Sequence, residues 1–344
     1  MNSSAQDSAV SGKSWQPLAA LILGIVGIAF APILGKLAVD VDGVVGGSGL
    51  SPSAVAFWRM LFAVPIFAVL WARATPARER SVIRASARQH WALLLLPGLL
   101  FALDLGPWHW SFEYTSVANA TLLANFAVIV VTIVAWIWFG ERPRPLFFVG
   151  AGVALLGMAA LVGKGVEIRR EALFGDLLAT FCAIAYAGYL LSTKRLMRRF
   201  SAGLVMLAST SGCALFLFIG SLLAPGRMIP ATLEAWACVI GLALVAQVFG
   251  QGLIAWAMQS IPVTLASVTL IGQPVLAAGL GVVILGQDLG TGQIIAGVVS
   301  VAGIWLARLG SMGDSTRSTQ ITRRDKVFHK GNSEIDPIAP KDGR

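Results

Sequence analysis

The chain has 344 residues, 56% of them hydrophobic and 12% charged, with a formal net charge of +9 and a mean hydropathy of +0.77. A soluble domain of this length would carry roughly a quarter charged residues, so a soluble globular protein is excluded. The apolar residues fall in runs of roughly 20, the length that crosses ~30 Å of hydrocarbon as helix.

In chain order, residues 1–17 are polar and Ser-rich and are expected to be disordered. The apolar run 18–39 is too long for a signal-peptide core and no small-residue cleavage site closes it, so it is predicted to span, kinked at Pro32. A Gly-rich loop follows at 40–52. Further spans are predicted at 53–72, 91–112, 116–139, 144–162, 174–191, 203–223, 232–257, 262–285 and 291–309. The expected fold is an all-α membrane protein of ten transmembrane helices, five in 18–162 and five in 174–309. Residues 310–344 are charged and apolar-poor, a disordered tail by the same reasoning. Cys182, Cys213 and Cys238 lie inside spans, lack zinc-site spacing, and read as small buried residues.

Loops on one side carry twelve basic residues: Lys13, Arg73, Arg78, Arg80, Arg84, Arg88, Arg142, Arg144, Lys194, Arg195, Arg198 and Arg199. The other side carries four: Lys164, Arg169, Arg170 and Arg227. Basic loops face the cytoplasm, which puts both termini there, in a bacterial inner membrane. Topology thus accounts for the positive charge, and no nucleic-acid partner is expected. Trp71, Trp91, Trp136, Trp236 and Trp305 lie near predicted helix ends, where an amphipathic ring is half wet.

The stretch Trp110–Leu161 is echoed by Trp256–Ala307 at an offset of 146 residues, without a gap. Trp110 meets Trp256, Val117 meets Val263, Ala120 meets Ala266, Gly140 meets Gly286 and Gly157 meets Gly303. Such a fixed-offset echo marks a structural repeat. Five helices per half turn the second half upside down relative to the first. The loop Glu141-Arg142-Pro143-Arg144 is then cytoplasmic, and its external echo at 287–290 has lost the basic residues. Halves related in this way pack about a shared axis with a site between them.

Several stretches carry a family likeness: Gly140-Glu141-Arg142 with the helix ending in Gly157, QPVLAAGLGVVILGQDL at 273–289, Gly297, Gly303, FWRML at 57–61 and FGDLL at 174–178. With two inverted five-helix repeats, the chain resembles the EamA branch of the drug/metabolite transporter (DMT) superfamily over 18–309. The resemblance implies a transporter that works by alternating access. Two positions depart from it. The family's usual proline midway along the fourth helix is Val128 here, opposite Pro274, and its usual acid after the second glycine is Gln287, beside Asp288.

Polar residues inside spans are candidates for function, because a charge there costs several kcal/mol unless it faces protein or water. Arg59 lies about six residues inside the second helix, ~9 Å deep at 1.5 Å per residue. It either faces a cavity and holds an anionic group or snorkels to the interface. Lys36, one turn before Asp40, has the same two alternatives, or pairs with Asp40. Asp104 is the deepest acid, with Trp108 one turn on. Its alternatives are a cationic substrate group, a coupling proton, or an ion pair with Arg59 or Lys36. Asn119 and Asn125 in the fourth helix, Gln247 and Gln251 in the eighth, and Gln273 in the ninth either line a cavity or hydrogen-bond between helices. These nine are the substrate-binding candidates. His109, Glu113, Asp176, Glu141 and Arg142 read as interfacial or structural.

Enzyme signatures fail. Gly46-Gly47-Ser48-Gly49-Leu50 lacks the last glycine of G-x-S-x-G. Asp176 opens a helix rather than facing a second acid in the membrane centre. There is no metal cluster, and no cofactor is implied. The expected role is a multi-pass transporter exporting a small metabolite, amino acid-like or another organic solute. Import is the alternative. A sensor or scaffold is disfavoured, since 310–344 is too short and polar for an output domain. The expected partners are the small-molecule substrate and the lipid bilayer; a homodimer is compatible.

Overall fold

The computed structural model describes residues 15–43, 50–111, 114–115, 117–162, 172–223, 226–286 and 290–311. Of the expectations above, those on the two termini, on 44–49, on Glu113, on Lys164, Arg169 and Arg170, on 287–289 and on the side chains of Asp40, His109 and Asn119 lie outside the described residues. The described chain is helical, with one isolated bridge between Leu50 and Arg227.

Helix α1 is Gln16–Ala29 continued by Ala31–Gly43, α2 is Pro52–Ala74 and α3 is Trp91–Ser111. Helix α4 is Val117–Asn125 continued by Ala127–Phe139, and α5 is Pro145–Val162. The second half comprises α6 (Leu173–Leu196), α7 (Ala202–Leu223), α8 (Leu233–Gly241, Leu242–Gln251 and Gly252–Met258), α9 (Val263–Leu270 and Gly272–Leu285) and α10 (Thr291–Ser311). Among the described residues nine helices are long and apolar enough to cross a membrane, and Pro145–Leu161 in α5 is a shorter apolar helix. Nine of the ten expected crossings thus have helices of spanning length among the described residues, and the tenth, α5, falls short of it. The all-helical membrane fold in two repeats stands as expected.

Ile137, Leu156, Leu223, Val283 and Val298 are exposed. In a bilayer this carries no penalty, because lipid tails are as apolar as leucine. Helices must therefore be held by close approach, and α5 with α10 is the most extensive pairing. A Cβ added at Gly157 would lie 2.4 Å from the Ser300 amide nitrogen, and one at Gly303 would lie 2.3 Å from that of Ala154. Each contact maps onto the other through the 146-residue offset. As α5 is followed from Gly150 to Gly157, its neighbours on α10 recede from Ala307 to Ser300, so the two helices run antiparallel. At the crossing the Ser300 hydroxyl donates to the Ala154 carbonyl at 3.0 Å, a residue bonded to its own echo 146 positions away.

The repeat extends to helix breaks and caps. Helix α4 breaks at Phe126 and α9 at Ile271. Gly140 (φ 68°) and Gly286 (φ 64°) end these helices in the left-handed conformation that glycine adopts without a Cβ penalty. Their amides donate to Ala135 and Gly281, also 146 apart. Helix α1 breaks at Phe30, two residues before Pro32.

Two features were not expected. The ten-residue stretch Leu242–Gln251 of α8 is π-helical. Residues Ala77–Gln89, read only as a basic loop, form a surface helix with no buried side chain. Its Arg80 donates to the Thr75 carbonyl at 2.9 Å and also to that of Ala72, and Arg84 stacks over the Trp71 ring.

Candidate functional site

On α2, residues Ala56, Met60, Ala63 and Phe67 recur at helical spacing and are buried. Arg59 falls on that face, so its guanidinium is carried inward and only 9% of the residue is exposed. Its terminal nitrogen donates to Gln247 Oε1 on α8 at 3.0 Å. The Gln247 amide in turn donates to the Thr210 hydroxyl on α7 at 3.4 Å. Arg59 Nε is buried with no hydrogen-bond partner among the described residues. Leaving a buried charged donor unpaired is costly.

The opposite wall comes from α3 and α6. Tyr189 stacks on Phe101 at 4.5 Å, and Tyr186 stacks on Tyr189 at 5.9 Å. Gln251, one turn beyond Gln247, lies beside the Tyr186 hydroxyl. Asp104 lies one turn beyond Phe101 on α3. It sits within electrostatic reach of Arg59, yet among the described residues no direct ion pair joins them. Although it lies deep in the bundle, Asp104 retains accessible surface, as do Trp108 and Tyr186.

The structure sorts the remaining candidates. Arg59, Asp104, Gln247 and Gln251 come together, with Trp108 one turn from Asp104. Lys36 is exposed on α1, outside this cluster. Asn125 donates to the Thr121 carbonyl of its own helix at 2.8 Å. Gln273 donates to the Ile28 carbonyl at 3.4 Å. Pro32 has no N–H to offer that carbonyl four residues back, so Gln273 supplies the missing donor from the other half of the chain. Thr210, Tyr186 and Tyr189 belong to the cluster and were not anticipated. Their one signal is that two of the chain's three tyrosines stand three residues apart in a single span.

Three interfacial residues turn out to hold helix ends. The Glu141 carboxylate accepts from the Val263 amide (3.0 Å), the Thr264 amide (3.1 Å) and the Thr264 hydroxyl (2.7 Å), capping the start of α9 across the two halves. Lys194 donates to the carbonyls of Met258 and Ile261 just before it. Asp176, in the first turn of α6, accepts from Thr115 at 2.7 Å.

Comparison with known proteins adds the following. The model of the EamA-like transporter family matches residues 15–163 and 173–309. The threonine/homoserine exporter RhtA of Escherichia coli K12 is 26% identical over 233 residues, which cover 67% of this chain and 75% of that protein. A probable terminal-alkyne amino-acid exporter of Streptantibioticus cattleyicolor is 25% identical over 162 residues. That match spans 46% of this chain and 48%, about half, of that relative's length. A solved crystal structure superposes with a TM-score of 0.69, covering 85% of this chain and 96% of the other at 20% identity, a likeness of fold alone.

Proposed function

The chain belongs to the EamA-like transporter family, and from that premise we propose that it exports a small amino acid-like metabolite across the bacterial inner membrane. The family and the helical membrane fold make it a multi-pass membrane transporter. The observation that carries the finer reading is the Arg59 centre: a buried guanidinium whose Nε–H has no hydrogen-bond partner among the described residues, within electrostatic reach of Asp104 but, among those residues, not ion-paired with it. An α-amino acid presents a carboxylate and an ammonium a few ångströms apart. Its carboxylate satisfies the Arg59 donors, and its ammonium lies toward Asp104. The relatives that export amino acids support the same class.

In this mechanism Gln247 orients Arg59, and Thr210 orients Gln247, so the anion site is formed before substrate arrives. Gln251 and Tyr186 sit beside it as neutral donors and acceptors suited to a polar side chain. Alternating access then amounts to rocking one inverted half against the other around this centre.

Counterflow of radiolabelled threonine in proteoliposomes tests the proposal. Wild type is expected to exchange threonine. Its decarboxylated and N-acetylated analogues, each lacking one charge, are expected to compete poorly. Arg59→Gln should abolish exchange while the protein stays folded. Undiminished exchange by Arg59→Gln, or equal competition by the analogues, refutes the site.

A further inference from the structure

A second site lies at one membrane face, far from the central cluster in composition and independent of the transport reading. Between the first turns of α3 and the last turns of α6 is a cleft of about 190 Å³, lined by His90, Leu93, Leu96, Ser192, Arg195 and Arg199 among others. Its two ends differ chemically. Leu93 is 51% and Leu96 39% exposed, so the α3 wall continues as an apolar strip toward the hydrocarbon. Arg195 and Arg199 are exposed, and among the described residues neither has an ion-pair partner. Their neighbour Arg198 is engaged differently, 4.7 Å over the Phe139 ring. His90 Nδ1 is 2.9 Å from the Ser86 carbonyl, which leaves Nε2 for another partner.

The depth of the cleft is marked by Trp91 at the head of α3, 63% exposed, a residue type that settles at the headgroup level. An adjoining cleft shares Arg199 and contains Glu79, which lies 3.9 Å from Arg78. The first cleft is therefore the more cationic of the two.

We propose that this cleft binds an anionic phospholipid, with the headgroup phosphate between Arg195 and Arg199 and one acyl chain along Leu93 and Leu96. Guanidinium forks match phosphate oxygens two at a time. Basic pockets between membrane helices hold anionic headgroups in this manner. A soluble anion would use the arginines but leave the leucine strip uncovered. A zwitterionic lipid would cover the strip but bring its own cation against the arginines.

Native mass spectrometry of the full chain released from micelles containing phosphatidylglycerol or phosphatidylcholine tests this. Wild type should retain phosphatidylglycerol in preference. A basic residue at a membrane surface is worth about a fivefold factor, so Arg195→Gln with Arg199→Gln should lower phosphatidylglycerol retention about thirtyfold. Phosphatidylcholine retention should not change, and Arg144→Gln, at another exposed arginine, should behave as wild type. Both substituted side chains are exposed, and near-UV circular dichroism checks folding. In wild type, high salt should strip the phosphatidylglycerol adduct if a phosphate–guanidinium contact holds it. Equal retention by the double variant, a salt-resistant adduct, or displacement of the lipid by millimolar inorganic phosphate would each overturn the assignment.

Discussion

Replacing Gly157 by alanine puts the α5–α10 crossing under direct strain. The new methyl would stand 2.4 Å from the Ser300 nitrogen and 2.7 Å from its Cα, both backbone atoms. Carbon contacts settle at about 3.5–4.0 Å, so the helices must part by about 1 Å. Overpacking of this kind costs about 1–3 kcal/mol. The better helix propensity of alanine returns roughly 0.5–1 kcal/mol, which leaves a net loss of up to about 2.5 kcal/mol. Gly303→Ala meets Ala154 at 2.3 Å and should cost the same. Once one methyl has parted the helices the second enters the gap, so the double variant should cost less than the sum by more than about 0.5 kcal/mol. Gly152 and Gly279 have nothing within 4 Å of an added Cβ, and their alanine variants should be no less stable than wild type. Unfolding of the purified protein in graded denaturing detergent, followed by tryptophan fluorescence, reads all five variants. If Gly157→Ala is as stable as Gly152→Ala, or if the two strained substitutions simply add, the crossing is not packed as described.

Three further outcomes are expected. Glu141→Gln keeps an acceptor but removes the charge at the α9 start, and should lower stability by about 1 kcal/mol at low ionic strength; an unchanged melting temperature would refute the cap. Gln273→Leu leaves the Ile28 carbonyl without its donor and should cost about 0.6–1 kcal/mol with KM unaltered. A raised KM at unchanged stability would make Gln273 a ligand instead. Gly140→Ala and Gly286→Ala both force a side chain into positive φ and should each lose about 1–2 kcal/mol in the same unfolding assay.

Features that glycine or proline dictates were legible in the sequence. Gly140 and Gly286 end their helices, Pro32 follows the break in α1, and Gly157 and Gly303 hold equivalent places in the echo, each packed against the other's helix. The break in α4 was not legible, because Val128 occupies the place where a proline would have announced it. There Asn125 and Thr132 donate to the carbonyls of Thr121 and Val128 instead. The surface helix Ala77–Gln89 carries a fourfold spacing at Arg80, Arg84 and Arg88, but its basic composition resembles an ordinary loop. Within the candidate site, Arg59, Asp104, Gln247 and Gln251 could be picked out because charges and amides are rare in hydrocarbon. Gln273 and Asn125 looked the same, yet their amides go to backbone carbonyls. Residue type and depth do not reveal which partner an amide will find. Thr210 and Tyr186 escaped notice for the opposite reason, since hydroxyl side chains pass unremarked in an apolar span.

The bond from Ser300 to Ala154 joins a position to its own duplicate. Only points on a rotation axis meet their images, so the axis relating the halves passes through this contact. A lone five-helix chain, inserted in both orientations, would meet its twin at the same place, and there both partners would have to be identical. Fusion into one polypeptide lifts that constraint. One copy carries a donor hydroxyl while the other keeps only a methyl, an asymmetry that no homodimer of a single five-helix chain can encode.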